Sequence, residues 1–333
     1  MGIQTPVPIQ IEAAARLLQQ GELVAFPTET VYGLGARADD DTAVAKIFAV
    51  KGRPADHPLI VHVKDIEAAR QFAAVLPDTA QRLMRACWPG PVTVIVPRAK
   101  SWAIAAAAGQ NTIGLRCPAH PVAQALLQAA AHQGVPGIAA PSANRFGRIS
   151  PTRAEHVIQE LGREIMVLEG GACAVGIESA ILDCTGPGVV LLRPGLFTRA
   201  YIESIVEQPL QNADFNSPRA PGSLQSHYAP LAMMSLMTAV ELQAALGTLA
   251  PNMPSLELAV YARQCPASLP AKVHYQTMAN EPLVAAQNLF NDLRRLDQQG
   301  FKRLWVEAPP MTTLWEGVGD RLNRAAHKSR HLA

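Results

Sequence analysis

No two of the five cysteines in this 333-residue chain form a C-x-x-C pair, and their odd count leaves no complete disulfide framework. Cys87, Cys117, Cys173, Cys184 and Cys265 therefore read as small core hydrophobes in a reducing compartment, and no cysteine zinc site is expected. No apolar run approaches the roughly 20 residues that span a bilayer, so no membrane partner is expected. The opening stretch, MGIQTPVPIQIEAAARLLQQGE, has no basic segment followed by an apolar one. No signal peptide is read there, and the expected location is cytoplasmic. An excess of one charge is missing as well. Basic against acidic residues number 18 to 17 over 1–206, 1 to 2 over 207–233 and 10 to 8 over 234–333, for a net charge of +2. Non-specific binding to a phosphate backbone needs a strong basic excess, so RNA is not expected as the main ligand. A Walker A motif, G-x-x-x-x-G-K-[ST], is also absent, so any nucleotide must be held without a P-loop.

The length accommodates two domains, and 49% apolar residues suffice for a sizeable core. Residues 11–20 read as a helix ended by Gly21, and LVAF as a strand stopped by Pro27. Asp41 is placed to cap a helix through Val50, with Val44, Ile47 and Phe48 on one face. PLIVHV, VTVIVP, TIGLR, GIAA, IMVLE, ESAILD and VVLLR read as strands. Helical stretches are expected near 65–75 and 78–87, and a helix start at Ser150-Pro151. Strands interleaved with helices define an α/β domain, and their irregular order predicts a mixed sheet more than a βαβ repeat. From Glu207 to about Pro230 the apolar period stops, which predicts a linker or a functional loop. Beyond it, helices at 238–248, 282–298 and 318–328 alternate with LELAVYA, KVHYQ and RLWVE, the pattern of a smaller Rossmann-like α/β module. The expected division is a larger domain over 1–206, a linker or lid over 207–233 and a second domain over 234–333.

Four clusters carry candidate chemistry. In FPTETVYGLGARA, the GLGARA stretch matches G-x-G-x-x-G/A, but that fingerprint should open a helix and three aspartates, Asp39 to Asp41, intervene. A plain glycine-rich turn is the better reading, and NAD is not expected. In KGRPADHPLIVHV, Lys51 and Arg53 follow a helix end, where cations satisfy the dipole and the last carbonyls. Gly52 and Pro54 would alternatively hold both cations in one direction at the start of a strand. His62 on that strand is, taken alone, a satisfied core histidine. In AAPSANRFGRIS, Ser142 and Asn144 alternate at a strand end and share a side, and Ser150 opens a helix whose N-terminus suits an anion. An Asx-turn and an ordinary cap explain the same residues equally well. Finally, ESAILD and VVLLRPG place Ser179 and Arg193 on neighbouring strands.

In this order, PTETVYGLG, KGRP with PLIVHV, T-x-G-x-R, PSAN with G and S, ESAI and RPG resemble the YrdC family over about residues 10–206, and APGSLQSHYAP resembles the interdomain linker of its long two-domain members. The resemblance implies a twisted mixed sheet with flanking helices, and synthesis of threonylcarbamoyl-AMP from L-threonine, bicarbonate and ATP. Diphosphate is released, and a separate transferase then moves the threonylcarbamoyl group to tRNA. It implies a threonine pocket of Thr30, His62, Arg116, Ala140 and Ser179. The implied nucleotide side comprises Lys51, Arg53, His57, Thr112, Ser142, Asn144, Ser150, Arg193 and Tyr228, with Lys51 and Arg53 closest to the chemistry. Arg116 suits a bidentate grip on a carboxylate. Magnesium is expected to arrive with the phosphates of ATP rather than in a carboxylate cage.

Two positions depart from the family pattern: His57 stands where members usually have Asn, and the linker lacks the Met and basic pair common before HYAP. The charge balance leaves direct tRNA contact open. Two rival readings differ in kind. A non-catalytic RNA-binding or assembly factor conflicts with the balanced charge. Carbamoyl transfer in hydrogenase maturation calls for zinc-finger and acylphosphatase segments that this chain does not show.

Overall fold

The computed structural model of the chain describes residues 8–222, 227–249, 254, 256–266 and 269–330. Within them the chain divides into two compact units, one of residues 8–146 and 150–222, the other of 147–149 and 227–330. Part of the expected linker, residues 223–226, lies outside the described residues.

In the first unit, helix α1 (Pro8–Gln19) buries Ile11, Ala14, Ala15 and Leu18 at helical spacing. It stops at Gly21, whose φ of +75° lets Gly21 and Glu22 return their N–H groups to Leu18 and Leu17. Strand β1 (Val24–Phe26) pairs with β2 (Gly33–Arg37). The GLGARA stretch is therefore a strand and not the expected turn. A Cβ on Gly35 would lie 2.7 Å from Ile138 Cγ2 and 2.9 Å from Phe26 Cε1, so the glycine permits close packing. Asp40, one residue before the expected cap, accepts from the N–H groups of Thr42 and Ala43 and starts α2 (Asp41–Lys51).

There follow β3 (Ile60–His62), α3 (Ile66–Arg70), α4 (Asp78–Cys87), β4 (Val92–Pro97), β5 (Thr112–Arg116), α5 (Pro121–His132), β6 (Ile138–Ala139) and α6 (Ala154–Leu161). The unit continues through β7 (Met166–Val167), β8 (Ala180–Asp183), β9 (Val190–Arg193), α7 (Arg199–Val206) and β10 (Gln211–Asn212). The expected helix start at Ser150-Pro151 is displaced: α6 begins at Ala154. Ser150 instead donates its hydroxyl to Glu178 Oε1 at 2.5 Å, and Pro151 gives its carbonyl to the N–H of Tyr32.

The ten strands form one sheet in the order β10-β9-β8-β4-β5-β3-β6-β2-β1-β7, with parallel and antiparallel pairs mixed. Val61, Val94, Val96 and Leu115 point to one face, where Val44 and Ile47 of α2 and Leu83 and Met84 of α4 complete the core. Helices α1 and α5 close a second core with Val24, Phe26 and Ile138. The segment after α7, without periodicity in the sequence, still packs on this unit: β10 pairs with β9, and Ala220 is buried with Ile60, Ile95, Ile181 and Leu192.

The second unit contains β11 (Met233–Met237), α8 (Ala239–Gly247), β12 (Leu258–Ala262), β13 (His274–Thr277), α9 (Pro282–Gln298), β14 (Arg303–Glu307) and α10 (Glu316–Arg330). Its four strands are all parallel, in the order β11-β14-β12-β13. LAVYA is buried along its whole length, as expected for a strand covered on both faces. Thr238 and Glu241 cap α8 reciprocally.

Candidate active site

Because side chains alternate along a strand, the face of the large sheet opposite its core receives Ile60 and His62 from β3, Thr112, Gly114 and Arg116 from β5, and Thr93 and Ile95 from β4. Register sets His62 opposite Arg116, Thr93 opposite Ile181 and Ile181 opposite Arg193. A small pocket opens on this face, lined by Ile60, Thr93, Ile95, Thr112, Gly114 and Ile181 and by Arg219 and Pro221 of the segment after β10.

Polar groups crowd one end of that face. Ser179 Oγ lies 2.8 Å from Thr93 Oγ1. Arg193 holds Ser179 from two sides, Nε donating to its carbonyl at 3.0 Å and Nη2 to its hydroxyl at 3.2 Å, while Nη1 donates to the carbonyl of Pro221 at 2.8 Å. His62 is buried with its ring edge against Phe26, 5.9 Å between centroids. Burial, and then the neighbouring Arg116 charge, push its pKa down to about 3, so the ring is neutral at physiological pH. Its Nδ1 is buried and has no hydrogen-bond partner among the described residues. Buried polar atoms are nearly always paired, so this nitrogen departs from what an ordinary core histidine shows. Arg116, also buried, gives Nη2 to Glu29 Oε1 at 2.6 Å and Nε to the carbonyl of Gly90 at 3.3 Å.

A second pole is built at the end of α2. The last carbonyls of that helix are met by backbone: Gly52, at φ +60°, donates to Ala49, and Arg53 to Phe48. Backbone N–H groups thus supply these caps, and the side chain of Lys51 turns to other carbonyls. Lys51, buried, sends its ammonium to the carbonyls of Ser142 (2.5 Å) and Asn144. Burial, with Arg53 nearby, pushes its pKa well down. Arg53 donates to the carbonyl of Pro58 at 2.9 Å and lies over the ring of Phe146, which His57 also meets edge-on.

The strip 140–144 ties the poles together. Ala140 donates its N–H to Ile60, Ser142 bridges to Gly33, and Ala143 donates to Tyr32. Thr30, in the turn before Tyr32, shares a 2.8 Å hydroxyl contact with Thr28. Among the expected site residues, Lys51 meets Ser142 and Asn144 directly, Ser179 meets Arg193, and Thr112 lines the cavity. Ser150 sits against Glu178, next to Ser179 in the chain. Tyr228 belongs to the second unit, where it takes φ +62° and packs against Phe290 under Arg321. Sequence reading missed Glu29 and Glu178; both stand inside quoted motifs, PTET and ESAI, but an acidic residue gives no sign in the sequence that it is buried.

The fold is a mixed α/β sheet that carries buried Arg116 and His62 on one face, with buried Lys51 and Arg53 at a helix end, groups whose chemistry suits polar, anionic ligands. A family model described as "Telomere recombination", covering the Sua5, YciO and YrdC proteins, matches residues 16–195. One described as "Threonylcarbamoyl-AMP synthase, C-terminal domain" matches residues 197–327. The threonylcarbamoyl-AMP synthase of Bacillus subtilis is 44% identical over 234 residues, which cover 68% of this chain and 66% of that protein. Its namesake in Schizosaccharomyces pombe is 31% identical over 363 residues, covering 95% and 88%. The crystal structure of Pyrococcus abyssi Sua5 complexed with L-threonine superposes with a TM-score of 0.87 at 32% identity, covering 97% of this chain and 96% of that one. The chain belongs to the Sua5/YrdC family of threonylcarbamoyl-AMP synthases, enzymes of the nucleotidyltransferase kind. These relatives favour the synthase over a non-catalytic assembly factor.

Proposed function

We propose that this chain joins L-threonine, bicarbonate and ATP into threonylcarbamoyl-AMP with release of diphosphate, in the cytoplasm, as the first step of tRNA threonylcarbamoyladenosine formation. The observation that carries this reading is the buried Nδ1 of His62, without a hydrogen-bond partner among the described residues, opposite Arg116 on the sheet face whose next inward-facing residues, Ile60 and Gly114, line the pocket. A neutral imidazole and a guanidinium together suit an amino acid's polar end. Thr30, His62, Arg116, Ala140 and Ser179 form the threonine side. On the nucleotide side stand Lys51, Arg53, His57, Thr112, Ser142, Asn144, Ser150 and Arg193. Tyr228 joins them on the resemblance of its HYAP segment, and its strained φ fits a functional position.

The chemistry asks for placement and charge stabilisation more than covalent help. Threonine's amine loses a proton and adds to bicarbonate-derived CO2, forming a carbamate. A carbamate oxygen then attacks the α-phosphorus of ATP, and the bond to diphosphate breaks. Lys51 and Arg53 offset the phosphate charge, and the carbonyls of Ser142 and Asn144 hold the Lys51 ammonium in place. Among the described residues no three His, Cys, Asp or Glu side chains converge as metal ligands. Magnesium belongs to this reading as part of the MgATP substrate, and no step is assigned to it.

The product is a mixed anhydride that water destroys, so exclusion of water matters. We assign that task to residues 218–230 acting as a lid, supported by Arg219 and Pro221 at the cavity wall. No described helix is long and apolar enough to cross a membrane. The deciding experiment measures diphosphate release by the full chain with each substrate omitted in turn. Release is expected only when threonine and bicarbonate are both present; equal turnover with alanine, or without bicarbonate, refutes the proposal.

A further inference from the structure

Glu29 stands between Thr28 and Thr30 in the PTET segment, and its side chain is 10% exposed against 4% for Arg116. It ties several segments at once. Oε1 accepts from Arg116 Nη2 at 2.6 Å, Oε2 accepts the backbone N–H of Ala119 at 3.0 Å, and the Glu29 carbonyl accepts from Val175 at 2.7 Å. With Nε on the carbonyl of Gly90, two of the three guanidinium nitrogens are committed to protein. Nη1 makes no hydrogen bond among the described residues. A planar fork held at Nε and Nη2 has its plane and its remaining edge fixed. The register that puts His62 opposite Arg116 brings the unpartnered imidazole nitrogen to the same neighbourhood.

We propose that Glu29 is the positioning residue of the carboxylate subsite: it locks Arg116 by the Nη2 edge so that Nη1 is presented to the carboxylate of the amino-acid substrate. The proposal rests on the reading of Arg116 as the carboxylate ligand. A buried ion pair is a poor source of stability, because desolvation offsets the attraction. Orientation accounts better for a carboxylate at this place. The pair is also neutral as a whole, which suits an incoming zwitterion better than a bare buried cation would.

The test is steady-state kinetics of diphosphate release by the full chain, varying threonine and ATP separately. Glu29→Ala should raise the threonine KM roughly tenfold or more and leave the ATP KM within about twofold. Glu29→Gln keeps an acceptor for Nη2 and should recover most of that loss. Arg116→Ala should raise the threonine KM as well, and the Glu29→Ala/Arg116→Ala double variant should be no worse than Arg116→Ala alone, since positioning acts only through Arg116. An unchanged threonine KM in Arg116→Ala overturns the carboxylate reading itself. If Arg116→Ala is impaired, three results overturn only the role of Glu29: a wild-type threonine KM in Glu29→Ala, equal rises for both substrates, or a double variant showing the sum of the single losses. Should Glu29→Ala fail to fold, Glu29→Asp replaces it. One methylene shorter, Asp cannot span Nη2 and the Ala119 N–H together, and a threonine-selective rise of about threefold or more is then required.

Discussion

Gly33 and Gly35 offer a direct way to separate packing from ligand binding, since both lie in the stretch that matches a dinucleotide fingerprint. Strand β2 runs between β6 and β1, and Gly35 pairs with Val24. Alanine at position 35 would bring its Cβ to 2.7 Å from Ile138 Cγ2 and 2.9 Å from Phe26 Cε1, both fully buried side chains. Carbon atoms prefer about 3.5–4.0 Å, so the overlap approaches an ångström and a neighbour must move. Overpacking of this kind costs about 1–3 kcal/mol, and the stiffer unfolded chain of alanine returns about 0.4–1. The net expectation is about 1–2 kcal/mol, or roughly 2–8 °C in Tm for a unit of this size. At Gly33 the nearest contacts are 3.3 Å to Ala140 Cβ and 3.5 Å to Phe26 Cζ, so Gly33→Ala should stay within about 0.5 kcal/mol of wild type. Because Phe26 also meets the edge of His62, the displaced ring in Gly35→Ala should raise the threonine KM several-fold and spare the ATP KM. Calorimetric melts with and without threonine plus ATP identify the transition of the first unit, and initial rates give the two KM values. Gly35→Ala with unchanged Tm and a selectively raised ATP KM would show the glycine cradling phosphate, and the packing argument would be wrong.

His62 gives a pH signature. Its folded pKa of about 3 lies below the usual value near 6.5, so the unfolded chain binds the proton more readily. Stability from this group is complete above about pH 6.5 and falls by about 1.4 kcal/mol per unit below it, or about 2 kcal/mol at pH 5. Urea midpoints at pH 7.5 and pH 5 should show that loss in wild type and not in His62→Asn; equal losses would mean another group titrates. Lys51→Met keeps much of the stem but leaves the carbonyls of Ser142 and Asn144 without their donor, at a cost of about 1–3 kcal/mol. Its kcat/KM for ATP should drop at least about a hundredfold while calorimetry still detects threonine binding, and turnover within tenfold of wild type would remove Lys51 from the phosphate site. Trypsin cleavage at Arg219, exposed in a segment that lines the cavity, should slow when ATP and threonine are present together. Unchanged cleavage would leave residues 218–230 as a tether only.

Local pattern alone determined much of this protein. Strands such as VTVIVP and TIGLR carry apolar side chains at the spacing that fills a sheet face, and the 282–298 helix begins at Pro282 and ends at Gln298 as its periodicity requires. The same locality misled at GLGAR, where glycine favours a turn by itself and becomes a strand residue only because Phe26 and Ile138 press against it. It also failed at Ser150, whose hydroxyl is taken by Glu178 from a distant segment, at the two-residue β10, which exists through its partner β9, and at β11, which pairs along its whole length with β14. The site divides along the same line. Residue types and their order in PTETVYGLG, KGRP and PSAN were readable, because each is a local arrangement. Which atoms end up paired was not. That Lys51 is held by Ser142 and Asn144 and that Glu29 grips Arg116 follow from how distant loops and a helix end meet, and the facing of His62 and Arg116 follows from strand register. Register is set by contacts between residues far apart in the chain, and a linear pattern carries no record of which of them will meet.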